Sequence, residues 1–252
     1  MSIRSIGNII VKYSPLLLQG VGYTLLVSII GTIAGLIIGL LIGVYRTMPV
    51  PKNKFLKALK KAGDYVLNAY IEVFRCTPMM VQAMVIFWGF ALLNDGQTLS
   101  VIFSGMLIVS INTGAYMAEI VRGGIMSIDK GQYEGAEAVG MTHFQAMFKV
   151  ILPQALKNIL PSVANEFVIN VKDTSVLNVI GFTELYFQAK KIVSITYDTF
   201  ATYLLVAAIY FILTFTLTRI LRLIEKKLEG KKNYTVFGSQ SDPEAEIHLT
   251  EA

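Results

Sequence analysis

Charge is scarce in this sequence. Charged residues make up 15% of its 252 positions and apolar ones 54%, with a mean hydropathy of +0.59; a soluble domain carries about 25% charged residues. That shortage excludes a standard cytosolic enzyme. One cysteine and two histidines are also too few for a disulfide framework or a zinc cluster, which needs three or four soft ligands. No catalytic set is expected from such a composition, and Cys76 is read as a small packing residue. His143 and His248 are too far apart in sequence to suggest a metal site. There is no internal repeat, no second soluble domain and no phosphate-cradling loop: at the Gly230-Lys231 pair, Glu225 stands where the first glycine of a nucleotide motif belongs. The N-terminal apolar run is span-length with no small-residue cleavage site after it, so it is expected to stay attached.

What the chain has instead is long uncharged runs. A hydrocarbon core about 30 Å thick needs roughly 20 apolar residues at 1.5 Å each. Val21 to Val44 is the first such run. Cys76 to Asn94 is the second, its helix starting earlier and holding Glu72 and Arg75. Gly96 to Ala118 is the third and Thr199 to Thr218 the last. Asn158 to Thr183, interrupted by Pro161, Glu166, Lys172, Asp173 and Gly181, reads as a fourth span facing protein or water. The expectation is an all-α membrane protein with five transmembrane helices.

Lys and Arg concentrate in the loops after the first and third spans and in the tail, as Arg46, Lys52, Lys54, Lys57, Lys60 and Lys61, then Arg122, Lys130, Lys149 and Lys157, then Arg219, Arg222, Lys226, Lys227, Lys231 and Lys232. With five spans, the positive-inside rule then puts the N-terminus outside and the C-terminus in the cytoplasm. The domain reading is an extracytoplasmic segment over 1–19, a membrane domain over 20–224 and a cytoplasmic tail over 225–252. The tail is expected to be disordered from about 238, where acidic residues stand without enough bulky apolar ones to offset ordering entropy. The basic loops sit best beside anionic headgroups, and no nucleic-acid partner is expected.

The segment 131–153 is too polar for lipid. It reads as two helices, Gln132 to Val139 and one starting at Thr142, joined at Gly140, which suits a left-handed cap. Thr142 with Gln145 three residues on fits a capping box. Here the sequence resembles a known family. Glu134-Gly135-Ala136, Gly140, Val150 and Leu152-Pro153 are similar to the EAA loop of ABC importer membrane subunits, the coupling element that sits in a groove of the ATPase subunit. Gly135 and Val150 stand where that family usually has Ala and often Ile. The stretches Glu72 to Pro78 with Val81-Gln82, Ala115 to Glu119 with Arg122 to Ile125, Gly131-Gln132, and Lys172 to Ser175 resemble the polar amino-acid permeases of the histidine, glutamine and arginine uptake systems. The likeness runs from about Gly20 to Arg222, with Cys76 replacing a common Gly.

The resemblance implies a permease subunit of a bacterial plasma-membrane importer for a polar amino acid. It also implies partners: two ATP-binding-cassette subunits carrying the ATP and Mg, a second permease subunit, identical or related, and an extracytoplasmic amino-acid-binding protein. The chain itself is expected to bind no cofactor. Glu134, Gly135, Ala136, Gly140, Val150, Leu152 and Pro153 are the expected coupling residues.

Polar side chains inside the spans are costly and usually line a cavity or pair. Asn112, Tyr116 and Glu119 share one helical face, as do Glu166, Asn170 and Asp173. Glu72 and Arg75 are i, i+3 neighbours beside Thr77-Pro78, where proline interrupts the backbone ladder. With Gln82, Thr174 and Ser175 these are the candidate cargo residues: a zwitterion needs donors for its carboxylate, such as Arg75, and acceptors for its ammonium, such as Glu72, Glu119, Glu166 and Asp173. The same charges could instead staple helices. Two rival functions use other features. An ion-coupled secondary transporter would use the same carboxylates but should show internal repeats, and an intramembrane enzyme would need a nucleophile or metal set.

Overall fold

A computed structural model describes residues 3–229, and within them the regular structure is entirely helical. The helices are α1 (Ile3–Thr47), α2 (Lys54–Cys76), α3 (Met79–Leu93), α4 (Val101–Met126), α5 (Lys130–Ala138), α6 (His143–Ala146), α7 (Leu152–Asp173), α8 (Leu185–Thr196) and α9 (Thr199–Glu229). A π-helical turn, Met147–Ile151, leads into α7, and a 3-10 turn, Thr174–Ile180, leaves it.

The five-span expectation is corrected here. Three helical segments among the described residues are long and apolar enough to cross a membrane: Ser5–Thr47, Val101–Met126 and Thr199–Lys227. A fourth exists only if α2 and α3 count as one span broken at Thr77-Pro78, where they bend by 115°. Two physical reasons account for the difference. Proline has no N–H to donate and disfavours helical backbone in the residue before it, so the second run splits. In α7, Pro161, Glu166, Lys172 and Asp173 dilute the apolar residues, and its shielding comes from α1, α4 and α9. The assignment of the N-terminus outside and the C-terminus in the cytoplasm rested on five spans and falls with that count. The tail expected to be disordered from about 238 lies outside the described residues.

The centre of the fold is the α1–α4 seam. Gly31, Gly35, Gly39 and Gly43 recur every four residues on α1 and face Val109, Thr113, Met117 and Val121, which recur every four residues on α4. At Gly39 the helices come closest: a Cβ there would lie 2.6 Å from the Met117 carbonyl carbon and 2.8 Å from the Ala118 nitrogen. Small residues of this kind let membrane helices pack by close van der Waals contact, which matters where lipid supplies no hydrophobic drive between helices.

At one end, α8 is capped by Glu184, a fully buried side chain that accepts from the backbone N–H groups of Tyr186 and Phe187, both at 2.7 Å, and from the Tyr210 hydroxyl at 2.9 Å. That ties α8 to α9. Asp198 ties α9 to α1 by accepting from the Ser5 hydroxyl and from the Ala201 N–H. These bonds, Ser5 first, hold its carboxyl below the usual carboxylate range. A depressed carboxylate contributes stability that is present above its unfolded value and lost as pH falls through the folded one. Ser5→Ala should therefore lower the melting temperature at pH 7 but make little difference once the medium is well below about pH 4, the ordinary Asp value. A thermal-shift series with pH checks this; an equal deficit at both ends of the series would contradict it.

Candidate functional site

The polar hairpin forms as its sequence signals require. Asp129 caps α5 by accepting from the Gly131 N–H at 2.7 Å. The helix stops at Gly140, whose φ of +81° is a left-handed conformation that only glycine adopts freely. There the Gly140 N–H donates to the Glu137 carbonyl at 2.9 Å and the Met141 N–H to the Ala136 carbonyl at 3.0 Å, the paired closure of a Schellman cap. The capping box follows, with the Thr142 N–H donating to Gln145 Oε1 at 2.9 Å and the Gln145 N–H to Thr142 Oγ1 at 3.3 Å. Tyr133 and His143 bridge the two helices through Oη and Nδ1. Burial, with the Glu137 carboxylate beside it, pushes the Tyr133 phenol up, so it remains protonated at neutral pH.

This hairpin has two faces. Its back is locked into the body: Ala146, Met147 and Ile151 are buried with Val44 of α1, Val121 and Ile125 of α4, and Ala155 and Ile159 of α7, while Tyr133, Val150 and Leu152 pack at the margin. Gln154 of α7 donates to Gln132 of α5 at 3.2 Å. Of the expected coupling residues, Glu134, Gly135, Gly140 and Pro153 are exposed, Val150 and Leu152 are half-buried, and Ala136 is buried. Sequence reasoning missed the apolar part of the front. Val139 is 74% exposed and Phe144 61%, and the Phe144 and Phe148 rings lie 4.3 Å apart. The available signal was two aromatics at i, i+4 in a segment too polar for lipid.

Among the intramembrane residues, the structure makes three separate groups, apart from Glu119 and the turn at Thr174-Ser175. The first repairs the α2–α3 break. Gln82 donates to the Phe74 and Thr77 carbonyls and to Thr77 Oγ1, each at 2.9 Å, and accepts from Asn112 at 2.8 Å. The second is a buried lock between three helices: Thr113 donates to Asn170 at 3.0 Å, and Asn170 donates to Thr32 at 2.9 Å. Thr32 and Thr113 were not anticipated, since a lone hydroxyl in an apolar run announces no partner. Thr174 closes the end of α7 by donating to the Val171 carbonyl at 3.1 Å, and the Ser175 carbonyl accepts from Asn178 at 2.7 Å. Glu119 is held by Arg46 at 2.5 Å and Arg122 at 2.8 Å, joining the end of α1 to α4.

The third group stays open. Arg75 lies over the Tyr116 ring at 5.6 Å, and Arg75, Glu166 and Asp173 all come within electrostatic reach of the Tyr116 hydroxyl. Glu166 is buried, yet its Oε2 has no hydrogen-bond partner, which is costly for a carboxylate unless something else meets it. Glu72 is exposed on α2, and Glu72 and Arg75 form no ion pair with each other. The group therefore offers one guanidinium, one phenol and two carboxylates from α2, α4 and α7. Among the described residues, no three His, Cys, Asp or Glu gather closely enough to hold a metal ion.

Comparison with known proteins places this geometry. Residues 35–230 match the family described as binding-protein-dependent transport system inner membrane components. The chain is 36% identical over 222 residues to a putative glutamine transport system permease protein GlnP of Rickettsia bellii, covering 87% of this chain and 97% of that one. It is 35% identical over 219 residues to the glutamine transport system permease protein GlnP of Escherichia coli, covering 85% and 94%. Among solved structures, an amino acid ABC transporter crystallised with histidines superposes with a TM-score of 0.74 at 39% identity, over 86% of this chain and 96% of that one. The inward-facing MetNI methionine ABC transporter, at 22% identity and a TM-score of 0.69 over 90% and 99%, shares the fold.

Proposed function

Since the chain belongs to the family of binding-protein-dependent transport system inner membrane components, we propose that its α5–α6 hairpin is where ATP hydrolysis in a neighbouring subunit moves the membrane helices. The chain is the multi-pass membrane permease subunit of an ABC importer for a polar amino acid, powered by partner ATPase subunits. It is not itself an enzyme. The ABC architecture implies ATPase subunits, a paired permease and a substrate-binding protein; we take the pair to be a second copy or a close relative, and ATP and Mg to reside on two ATPase subunits.

The observation that carries the coupling role is the two-faced hairpin. Its buried back moves with α1, α4 and α7 as one packed body, because close-packed side chains transmit displacement without yielding much. Its exposed front, Glu134, Gly135, Val139, Phe144 and Phe148, supplies apolar anchors beside an acid, the composition of an interface centre. A cysteine replacing Phe144 should cross-link to an ATPase subunit of the assembled importer. Phe144→Asp with Phe148→Asp should cut amino-acid uptake by on the order of tenfold or more, since each lost aromatic anchor costs above about 1 kcal/mol, with membrane insertion intact. Normal uptake in that variant, or no cross-link, would count against the coupling role.

For the cargo, the reading rests on the open group. Arg75 would donate to the carboxylate of a zwitterionic amino acid, and Glu166 and Asp173 would accept from its ammonium, with Tyr116 between them. Glutamine and histidine, named for the relatives, both carry that pair of charges. Gln82, Asn112, Asn170 and Glu119 then act one step back, by holding the helices that present these groups.

A further inference from the structure

We propose that the groove between α7 and α9 is a binding site for the headgroup of an anionic phospholipid. Its volume is about 270 Å³, and Lys172, Arg219, Arg222 and Thr218 line it together with Phe211 and Phe215. Three cations share this small space. The ion pairs found among the described residues, Arg46–Glu119, Lys60–Asp64 and Arg122–Glu119, all lie elsewhere. Asp173, within electrostatic reach of both Lys172 and Tyr116, is not among the residues that line the groove, and the groove remains net positive.

Depth in the bilayer fits the headgroup at the two arginines. Within α9 the first charge after Thr199 is Arg219, so roughly 20 uncharged residues, about 30 Å of helix, precede it, and the two arginines stand where such a helix leaves the hydrocarbon. Below them the walls are apolar, with Phe211 67% exposed and Phe215 49% exposed, as an acyl chain requires. The Arg219 guanidinium lies 4.9 Å from the centre of the Phe215 ring, which steadies its planar fork for a phosphate while leaving its N–H groups free to donate in-plane. A free phosphate would meet the same donors but would gain nothing from the aromatic walls. Basic pockets between membrane helices at headgroup level are of the kind that take anionic lipids.

The test uses the complete importer, permease with its ATPase subunits, purified in detergent and titrated with phosphatidylglycerol or phosphatidylcholine under native mass spectrometry. Wild type should retain phosphatidylglycerol in preference to phosphatidylcholine. Lys172→Gln with Arg219→Gln and Arg222→Gln should weaken that retention by on the order of tenfold or more, given about 1 kcal/mol per charge near the surface. Lys172→Arg with Arg219→Lys and Arg222→Lys should restore it, and millimolar inorganic phosphate should not displace the lipid. If the triple glutamine variant does not assemble, Arg222→Gln alone, an exposed position, carries the comparison. Equal retention of both lipids, retention unchanged by the glutamines, displacement by phosphate, or a disulfide between copies from cysteine at Thr218 would each overturn the assignment.

Discussion

Gly39→Leu is expected to leave little assembled transporter. The added side chain would begin 2.6 Å from a backbone carbon of α4, where neither helix has a flexible side chain that could turn away. Overpacking in a relaxed core costs about 1 to 3 kcal/mol; here the obstacle is backbone, and relief means separating α1 from α4 along a seam that four glycines hold close. Membrane helices also lack a strong apolar incentive to re-form a looser pair. Gly22→Leu, on the same helix with nothing within 4 Å of the added carbon, serves as the control. Size-exclusion profiles of the two variants should differ sharply; matching profiles and matching melting temperatures would remove the seam from its central place in the fold.

Glu166→Gln separates cargo binding from helix stapling. The carboxylate is buried with one oxygen unpartnered, so a staple role is poorly served by it. An ammonium meeting that oxygen would form a charge-assisted bond worth about 1.5 to 3 kcal/mol. Its loss should lower uptake at sub-saturating amino acid by roughly tenfold to a hundredfold, while the melting temperature of the importer without cargo stays level or rises. Basal ATP hydrolysis should persist. A fall in uptake that tracks a fall in stability would assign Glu166 to the scaffold instead.

Much of the polar hairpin's shape was legible beforehand because its signals are local. Gly140 for a left-handed turn and Thr142 with Gln145 for a reciprocal cap depend on residues within a few positions of one another, and each has a specific backbone group to satisfy. The apolar front at Val139, Phe144 and Phe148 was harder to see, since composition does not say which side of a helix is covered. Inside the membrane the shared helical faces follow from the residue spacing, but their partners were not readable. Asn112 and Tyr116 lie one turn apart, yet Asn112 mends the break at Thr77-Pro78 while Tyr116 lies beside Arg75. Glu119, one turn further on, is drawn to Arg46, 73 positions away in sequence.

The sequence by itself determined that the chain is a helical membrane protein with a polar hairpin and charges placed inside its helices, because hydropathy, capping and proline act over a turn or two of backbone. Only the tertiary structure decided where the helices end and bend, and so how many of them are long and apolar enough to cross a membrane, which carboxylates are already held and which remain open. Those outcomes depend on contacts between helices distant in the chain: of the charges on α7, Glu166 is buried against other helices while Lys172 and Asp173 stay exposed, and a buried carboxylate is a site or a staple according to what packs against it.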